Sequence, residues 1–380
     1  MRIERLLSVG QKWWPLFLVI NVLLFNEYLI YFVKIGITCS WKCPKEGCRQ
    51  NHLRAFMISD THLLGIYTGN RFDKMKREWQ MYRAYRTAVT ILQPEVVFFL
   101  GDLMDEGQWT DEELFKNYAK QFRSIFGVPV GSNIHQYVVA GNHDLGFHHA
   151  IHPLRINWFE KHFNRSSVDL VQVKDYPFVL INSMALHGDG CRFCYEAEKK
   201  INASSRTLDC ARNETCDLAE AQKFRPYKKP IILQHFPLFR KTDEDCAETE
   251  EDQGKTTTMR PKWEALSEES TDFLIHSFHP RAVFGGHTHR TCKKEWRYPE
   301  IFTEYTVNSF SWRNGDAPTF LLATITPKEV LVETCYLPRE SITFVVYAIT
   351  LIIIMIWAFY NFSLFIYCRR YGPRSTEKTK

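Results

Sequence analysis

At 380 residues the chain exceeds the usual size of one domain, and with 45% hydrophobic and 14% aromatic side chains it has enough apolar surface for a large core, which excludes the disordered class. Its net charge of +5, from 48 basic and 43 acidic residues, is small for this length. No basic arm interleaved with aromatics is present, which argues against nucleic acid as a partner.

The first element is an apolar stretch, Trp13 to Val33, preceded by Arg2, Arg5 and Lys12. A bilayer core needs about 20 apolar residues in a helix, and this run is long enough. It carries Asn21, Asn26 and Glu27, which lipid tolerates only where they face protein or water. A cleaved signal peptide is the competing reading. The run exceeds the roughly 7 to 15 residues of a signal core and lacks a small-x-small cleavage site. It is therefore read as an uncleaved signal anchor over 13–33, with a short N-terminal segment, 1–12, before it and a cysteine-containing linker, 34–52, after it.

From Leu53 the pattern alternates between apolar strands and helical segments, as in an α/β fold. Strands are predicted at Arg54 to Ser59, Val96 to Leu100, Tyr137 to Ala140, Phe178 to Asn182, Ile231 to Gln234, Ala282 to Phe284, Thr303 to Val307, Phe320 to Thr326 and Val330 to Thr334, all rich in β-branched and aromatic residues. A helix is predicted from Lys74 to Leu92, ended by Pro94. Two polar stretches interrupt the pattern and read as surface insertions: Gly188 to Tyr227, rich in cysteine, and Lys241 to Pro261, whose acidic run Asp243 to Asp252 reads as a solvated loop. Trp109, Trp158 and Trp312 read as core or interface residues. The predicted domain spans 53–335.

A second apolar run, Ile342 to Tyr367, contains no charge and is read as a transmembrane helix over 342–367. The tail that follows, 368–380, carries Arg369, Arg370, Arg374, Lys378 and Lys380, an excess that marks the cytosolic side. With two spans both termini are then cytosolic, and Lys34 to Arg339 faces a lumenal or extracellular space. Asn-x-Ser/Thr acceptors at Asn164, Asn202 and Asn213 fall in that interval, whereas the one at Asn361 lies within the second apolar run. All but Cys368 of the 11 cysteines also fall there, including Cys39, Cys43 and Cys48 near the first span and the cluster Cys191, Cys194, Cys210 and Cys216. An oxidising compartment permits disulfides among them. A zinc ribbon is the weaker reading, since CxxC occurs once in the cluster.

The polar, metal-capable residues nearly all follow an apolar strand directly, where α/β sheets form their sites. The motifs are Asp60-Thr61-His62, Gly101-Asp102-Leu103-Met104-Asp105, Gly141-Asn142-His143-Asp144, His235 after Gln234, and Gly285-Gly286-His287-Thr288-His289. A single histidine at a strand end is more often a hydrogen-bonded core or surface group than a ligand. Candidate ligands at five strand ends reverse that expectation. Carboxylate, imidazole and amide oxygen together suit borderline divalent metals such as manganese, iron or zinc, not calcium. His148, His149 and His152 form a further cluster that either lines a cleft or lies on a solvated loop.

This motif set, in this order over about Leu53 to Val332, resembles the calcineurin-like metallophosphoesterase superfamily. The resemblance implies a four-layer α/β/β/α sandwich, here flanked by two transmembrane helices, and two divalent ions, manganese first with zinc or iron as alternatives. It places Asp60, His62 and His289 on the first ion, Asn142, His235 and His287 on the second, and Asp102 between them. Such ion pairs lower the pKa of a water and clamp phosphoryl oxygens. It further implies that His143 faces the substrate phosphate as a catalytic group, with Asp144 orienting it through the far ring nitrogen.

The two spans and the Gly141-to-Phe147 stretch also resemble the phosphodiesterases that remodel glycosylphosphatidylinositol (GPI) anchors in the early secretory pathway. That likeness implies removal of a side-chain ethanolamine phosphate from the second mannose, promoting transport of GPI-anchored proteins from the endoplasmic reticulum to the Golgi apparatus. It makes those proteins, the membrane and early-secretory cargo receptors the expected partners. Lys378-Thr379-Lys380 resembles a lysine-based retrieval signal, with Glu377 where a second lysine is expected. A membrane phosphoesterase for a nucleotide or lipid phosphate, and a cargo receptor on an inactive scaffold, are the alternatives; the second predicts missing ligands.

Overall fold

The computed structural model describes residues 2–44, 52–213, 215–247 and 255–371. The expectations that rest on Cys48 and on the basic tail after Tyr371 lie outside them. Two compact units divide the chain: Met1–Ile30 with Pro338–Lys380, and Tyr31–Leu337.

The first helix, α1 (Arg2–Leu24), passes through a π-helical turn, Phe25–Leu29, into α2 (Ile30–Thr38). The larger unit continues through β1 (Leu53–Ile58), α3 (Arg71–Leu92), β2 (Val96–Leu100), α4 (Glu112–Phe126), β3 (His135–Val139), α5 (Asn142–Leu145), α6 (Pro153–Phe163), β4 (Val168–Val173), β5 (Tyr176–Ile181), α7 (Arg192–Arg212) and β6 (Ile231–Gln234). It ends with α8 (Glu268–Phe278), β7 (Ala282–Gly285), β8 (Cys292–Trp296), β9 (Phe302–Thr306), β10 (Thr319–Ile325) and β11 (Val330–Tyr336).

One sheet has the order β11-β10-β1-β2-β3 and the other β4-β5-β6-β7-β9-β8. Strands β1, β2 and β3 run parallel, as do β5, β6, β7 and β9, and the remaining pairs are antiparallel. The period-two alternation of each strand directs one set of side chains into the space between the sheets. Leu53, Ala55, Met57, Phe98 and Leu100 from the first sheet meet Phe178, Leu180, Leu233 and Phe284 from the second there, with the rings of Phe98 and Phe178 4.7 Å apart.

The opposite faces are buried too, which is why these strands read as continuous apolar runs rather than alternating ones. On the first sheet, Phe56 stacks on Tyr85 of α3, and Phe99 packs edge-on to Phe122 and Phe126 of α4. On the second, Val179, Ile232 and Val283 are buried, α7 packs on β4 and α8, and Ser205 Oγ donates to Ser277 O at 2.7 Å. The layers are thus helix, sheet, sheet, helix. Local signals start the helices: Asn70 accepts from Asp73 N, Asp111 from Leu114 N and Ser267 from Ser270 N. The Asn70 cap explains why α3 starts at Arg71, earlier than the predicted Lys74.

Other sequence expectations need correction. Much of the stretch from Gly188 to Tyr227 is a helix of 21 residues, α7, rather than an inserted loop. Its buried face consists largely of small residues and cysteine, Cys194, Ala197, Ile201 and Ala211, diluted by charge on the other face. Asp243 does not belong to a solvated run: it is fully buried, accepting from Arg240 Nε at 2.8 Å and Arg290 Nε at 2.9 Å. The nearby Cys246–Cys292 disulfide ties this segment to β8. Trp312 is buried as expected, whereas Trp109 is more than half exposed. Asn164, Asn202 and Asn213 all face solvent.

In the smaller unit, α1 is followed by the C-terminal helix α9 (Glu340–Tyr371). Trp14 packs edge-on to Trp357 at 5.8 Å. The polar residues of the first apolar run find partners: Asn21 Nδ2 donates to Phe17 O, Asn26 Nδ2 to Val22 O, and Tyr347 Oη to Glu27 Oε1 at 2.6 Å. The helices Trp13–Thr38 and Glu340–Tyr367 are long and apolar enough to cross a membrane by length and composition.

Candidate metal centre

The carboxyl ends of the parallel strands bring Asp60, His62, Asp102, Asn142, His235, His287 and His289 together. Asp60 and His62 follow β1, Asp102 follows β2, Asn142 follows β3, His235 follows β6, and His287 and His289 follow β7. Each strand stops where its backbone turns sharply. Asp60, His62, Asp102, His287 and His289 all have positive φ, from 42° to 72°, a region that non-glycine residues rarely adopt and that concentrates at functional sites. The turns hold one another: Asp60 N donates to Gly101 O at 3.1 Å, His62 N to Asp102 O at 3.0 Å and Gly286 N to His235 O at 2.8 Å. Gly141 allows the closest approach, because a Cβ there would collide with both the carboxylate and the backbone nitrogen of Asp102.

Two clusters share Asp102. In one, His289 Nε2 lies 3.2 Å from Asp60 Oδ1 and 3.1 Å from His62 Nε2. In the other, His235 Nε2 lies 3.1 Å from Asn142 Oδ1, and its ring centroid is 5.0 Å from that of His287. Asp102 Oδ2 is 3.5 Å from His62 Nε2 and 3.3 Å from His235 Nε2, so one carboxylate oxygen faces both.

The donor set fits two cations. His235 Nδ1 is committed to Leu100 O at 2.7 Å and His62 Nδ1 to Asp105 Oδ1 at 3.1 Å, which turns both Nε2 atoms inward onto the oxygens of Asp60, Asp102 and Asn142. Asp60 Oδ1 is buried with no hydrogen-bond partner, a costly state for a carboxylate oxygen unless a cation meets it. Without cations the buried carboxylates instead draw protons onto the imidazoles. Burial favours neutral imidazoles, but Asp105, Asp60 and Asp102 outweigh it and raise His62 to about 10, and Asp102 raises His235 to about 9. His287 goes the other way, to about 4, through burial and the neighbouring His235.

Asp60, His62, Asp102, Asn142 and His235 are buried, whereas His143, His287 and His289 are partly open to solvent. These three rim the entrance. His143 N donates to Asp102 Oδ1 at 2.8 Å, and its Nδ1 is 2.9 Å from Asp105 O and 3.4 Å from Asp105 Oδ1.

The role expected for Asp144 is therefore corrected. Its Oδ1 accepts from Leu103 N and Met104 N and its Oδ2 from Gly141 N, so it braces the turns after β2 and β3 and does not touch the His143 ring. Burial and Asp102 raise it to about 7.

Asp105 is the residue that orients His143. It also holds His62 and accepts from Thr68 Oγ1 at 2.8 Å and from Arg313. The sequence placed Asp105 inside a recognised motif, yet nothing in its spacing marked a positioning role. Arg313 and Asn314, whose Nδ2 lies 3.5 Å from His289 Nε2, carried no local signal at all. Of the histidine cluster, His149 lies beside Trp263 at 5.5 Å, on the side where His287 Nε2 donates to Trp263 O at 2.6 Å. His152 caps α6 by accepting from Leu154 N, and His148 faces Asp189.

The family model of calcineurin-like phosphoesterases matches residues 53–291. A Caenorhabditis elegans protein named Metallophosphoesterase 1 homolog is 45% identical over 350 residues, covering 91% of this chain and 90% of that one. The Drosophila melanogaster protein of the same name is 41% identical, with 86% of each chain covered. Metallophosphoesterase 1 of Pongo abelii is 39% identical over 87% of this chain and 84% of its own. The chain belongs to the calcineurin-like phosphoesterase family and is a metal-dependent phosphoester hydrolase.

Proposed function

We propose that Asp60, His62 and His289 would hold one divalent ion and Asn142, His235 and His287 the second, with Asp102 shared between them. Manganese is the proposed metal. The observation that carries this reading is the pair of acceptor clusters sharing a single buried carboxylate oxygen. When bound, the ions supply the Lewis acidity and the positive charge that make water nucleophilic at neutral pH. The chain's own groups do the rest. Asp105 O accepts the Nδ1 proton of His143, so the doubly protonated ring would present Nε2–H to the entrance and give that proton to the departing alcohol while keeping the one on Nδ1.

We further propose that the substrate is the side-chain ethanolamine phosphate on the second mannose of GPI anchors, released by hydrolysis of its phosphodiester link to the sugar, which promotes export of anchored proteins from the endoplasmic reticulum to the Golgi apparatus. Two helices of membrane length flank the catalytic unit in sequence. An active site tethered to a membrane meets a lipid-anchored substrate at high effective concentration. Exposed acceptor asparagines at 164, 202 and 213 support a lumenal catalytic unit with both termini cytosolic.

The test is mass spectrometry of anchor glycans from cells carrying either the native chain or Asp102→Asn, with release of ethanolamine phosphate assayed on purified anchor with manganese. The variant is expected to retain ethanolamine phosphate on the second mannose and to release none in vitro. Unchanged glycans, together with lost hydrolysis of simple phosphodiesters, would reject the substrate and redirect the search to nucleotide or lipid phosphates.

A further inference from the structure

Beside His287 the entrance carries an aromatic wall that the hydrolytic step does not use. Trp263 is 43% exposed, His149 is exposed and Phe147 is partly buried. The rings of Phe147 and His149 lie 4.9 Å and 5.5 Å from the indole, and each is inclined to it by 41°. Their own planes agree to within 6°. The three rings form a shallow corner, and Phe147 continues it to the His287 ring at 6.4 Å.

Both sides of the corner spring from segments that carry candidate ligands. Phe147 follows α5, whose first residue is Asn142: Gly146 N donates to Asn142 O at 2.7 Å and Ala150 N to Phe147 O at 2.7 Å. Gly146 has a φ of 100°, a turn that a side chain resists and that leads the chain from Asn142 out to the wall. On the other side Leu266 N donates to Pro237 O and Glu264 N to Arg260 O, both at 2.9 Å, which fixes the Trp263 turn to the segment just after His235. The wall therefore keeps a set position relative to the metal centre. A large amphipathic ring held rigidly in water at the mouth of a hydrolytic site is suited to a ligand.

The chemistry of that ligand follows from the charges around the indole. The Arg260 guanidinium lies 5.6 Å from its centroid, so the cation–π position is taken and a second cation, such as the ammonium of ethanolamine, gains little there. Arg260 is itself paired with Glu264 at 2.6 Å, which makes the rim polar but neutral. An aromatic floor with a polar, neutral rim matches a hexose, whose C–H bonds give the ring an apolar face and whose hydroxyls project from its edge.

We propose that Trp263, with Phe147 and His149, is the platform on which the hexose ring bearing the phosphodiester stacks, so that the wall selects the sugar and the metal centre the phosphate. The proposal rests on the substrate reading above, in which a mannose hydroxyl is the departing alcohol. A ring contact made alike before and during the reaction lowers KM and leaves kcat in place.

The test compares two phosphodiesters that share ethanolamine phosphate and differ in the alcohol: a methyl mannoside bearing phosphoethanolamine, and ethyl phosphoethanolamine. Both are assayed with the full chain and manganese. The native chain is expected to favour the mannoside in kcat/KM. Trp263→Ala is expected to cut that preference by about 10-fold, through the KM of the mannoside, and Trp263→Phe to keep most of it. Should the alanine variant fail to fold, Trp263→Leu, apolar but without a ring, takes its place. A native chain that does not favour the mannoside would reject the mannose reading and the platform with it. A native preference that survives in the variants without the ring, or an equal loss on both substrates, would overturn the platform alone and leave the substrate reading standing.

Discussion

Asp105 concentrates more of the site's geometry than any residue that would touch metal. Its carboxylate meets His62, Thr68 and Arg313, and its carbonyl holds His143. Removing such an outer partner typically costs 10- to 100-fold in metal affinity or activity. Asp105→Ala is therefore expected to lower kcat on a simple phosphodiester by about 10- to 100-fold and to raise the metal concentration needed for half-maximal activity, read from steady-state kinetics across a metal titration. An unchanged metal requirement would show that His62 does not depend on Asp105. The candidate ligands that the fold brings together were legible in the sequence because each sits at a strand end in a recognisable short pattern. Asp144 and Asp105 were not separable there, since both lie within those patterns and only the fold decides which reaches His143. Arg313 and Asn314 come from a turn after β9 whose proximity to the site is purely tertiary.

The elements that carry the candidate ligands are held by close packing at the turns and by one buried acid after β2, Glu106, which fastens the loop before α3. Gly141→Ala would drive a methyl group onto Asp102. The expected outcome is a folded protein with depleted metal and activity reduced by about 10- to 100-fold, measured by elemental analysis beside circular dichroism. Glu106 is buried and accepts from Ile66 N and Tyr67 N at 2.9 Å, from Thr68, and from Tyr118 Oη at 2.7 Å. Burial pushes its pKa up, but the hydrogen bonds from Thr68 and Tyr118 outweigh burial and hold it below the usual value. A depressed carboxyl contributes stability above its unfolded pKa of about 4.3 and loses that contribution as pH falls through the lower folded value. Glu106→Gln is expected to cost roughly 1.5–3 kcal/mol at neutral pH and to flatten the acid limb of stability, measured by denaturant unfolding between pH 7 and pH 3. An acid limb as steep as the native one would assign the sensitivity to other carboxylates. Central strands such as β2 and β6 were readable because burial on both faces makes them uniformly apolar. The helix α7 was not, because its buried face uses cysteine and alanine, which carry little hydrophobic signal.

At the scale of the whole molecule the question is what the apolar helices contribute to catalysis. The Tyr31–Leu337 unit has its own core between the two sheets, and every candidate ligand lies inside it. Its boundary includes the end of the first long helix: Tyr31 and Ile35 are buried, and Tyr31 packs edge-on to Trp312, so a cut nearer Leu53 would uncover that tryptophan. A fragment running from Tyr31 to Leu337 is expected to fold, bind metal and hydrolyse a small soluble phosphodiester with the kcat of the full chain. On a lipid-anchored phosphodiester in vesicles it is expected to be slower by about 10²-fold or more, because the tethered chain gains that much effective concentration and the free fragment does not. The two rates, measured side by side on the same preparations, separate two roles for the helices. Equal rates on the soluble substrate with a loss only in vesicles would make the helices a tether. A loss on both would mean that they shape the catalytic unit itself, and the division of the chain into two units would then fail as a description of how it works.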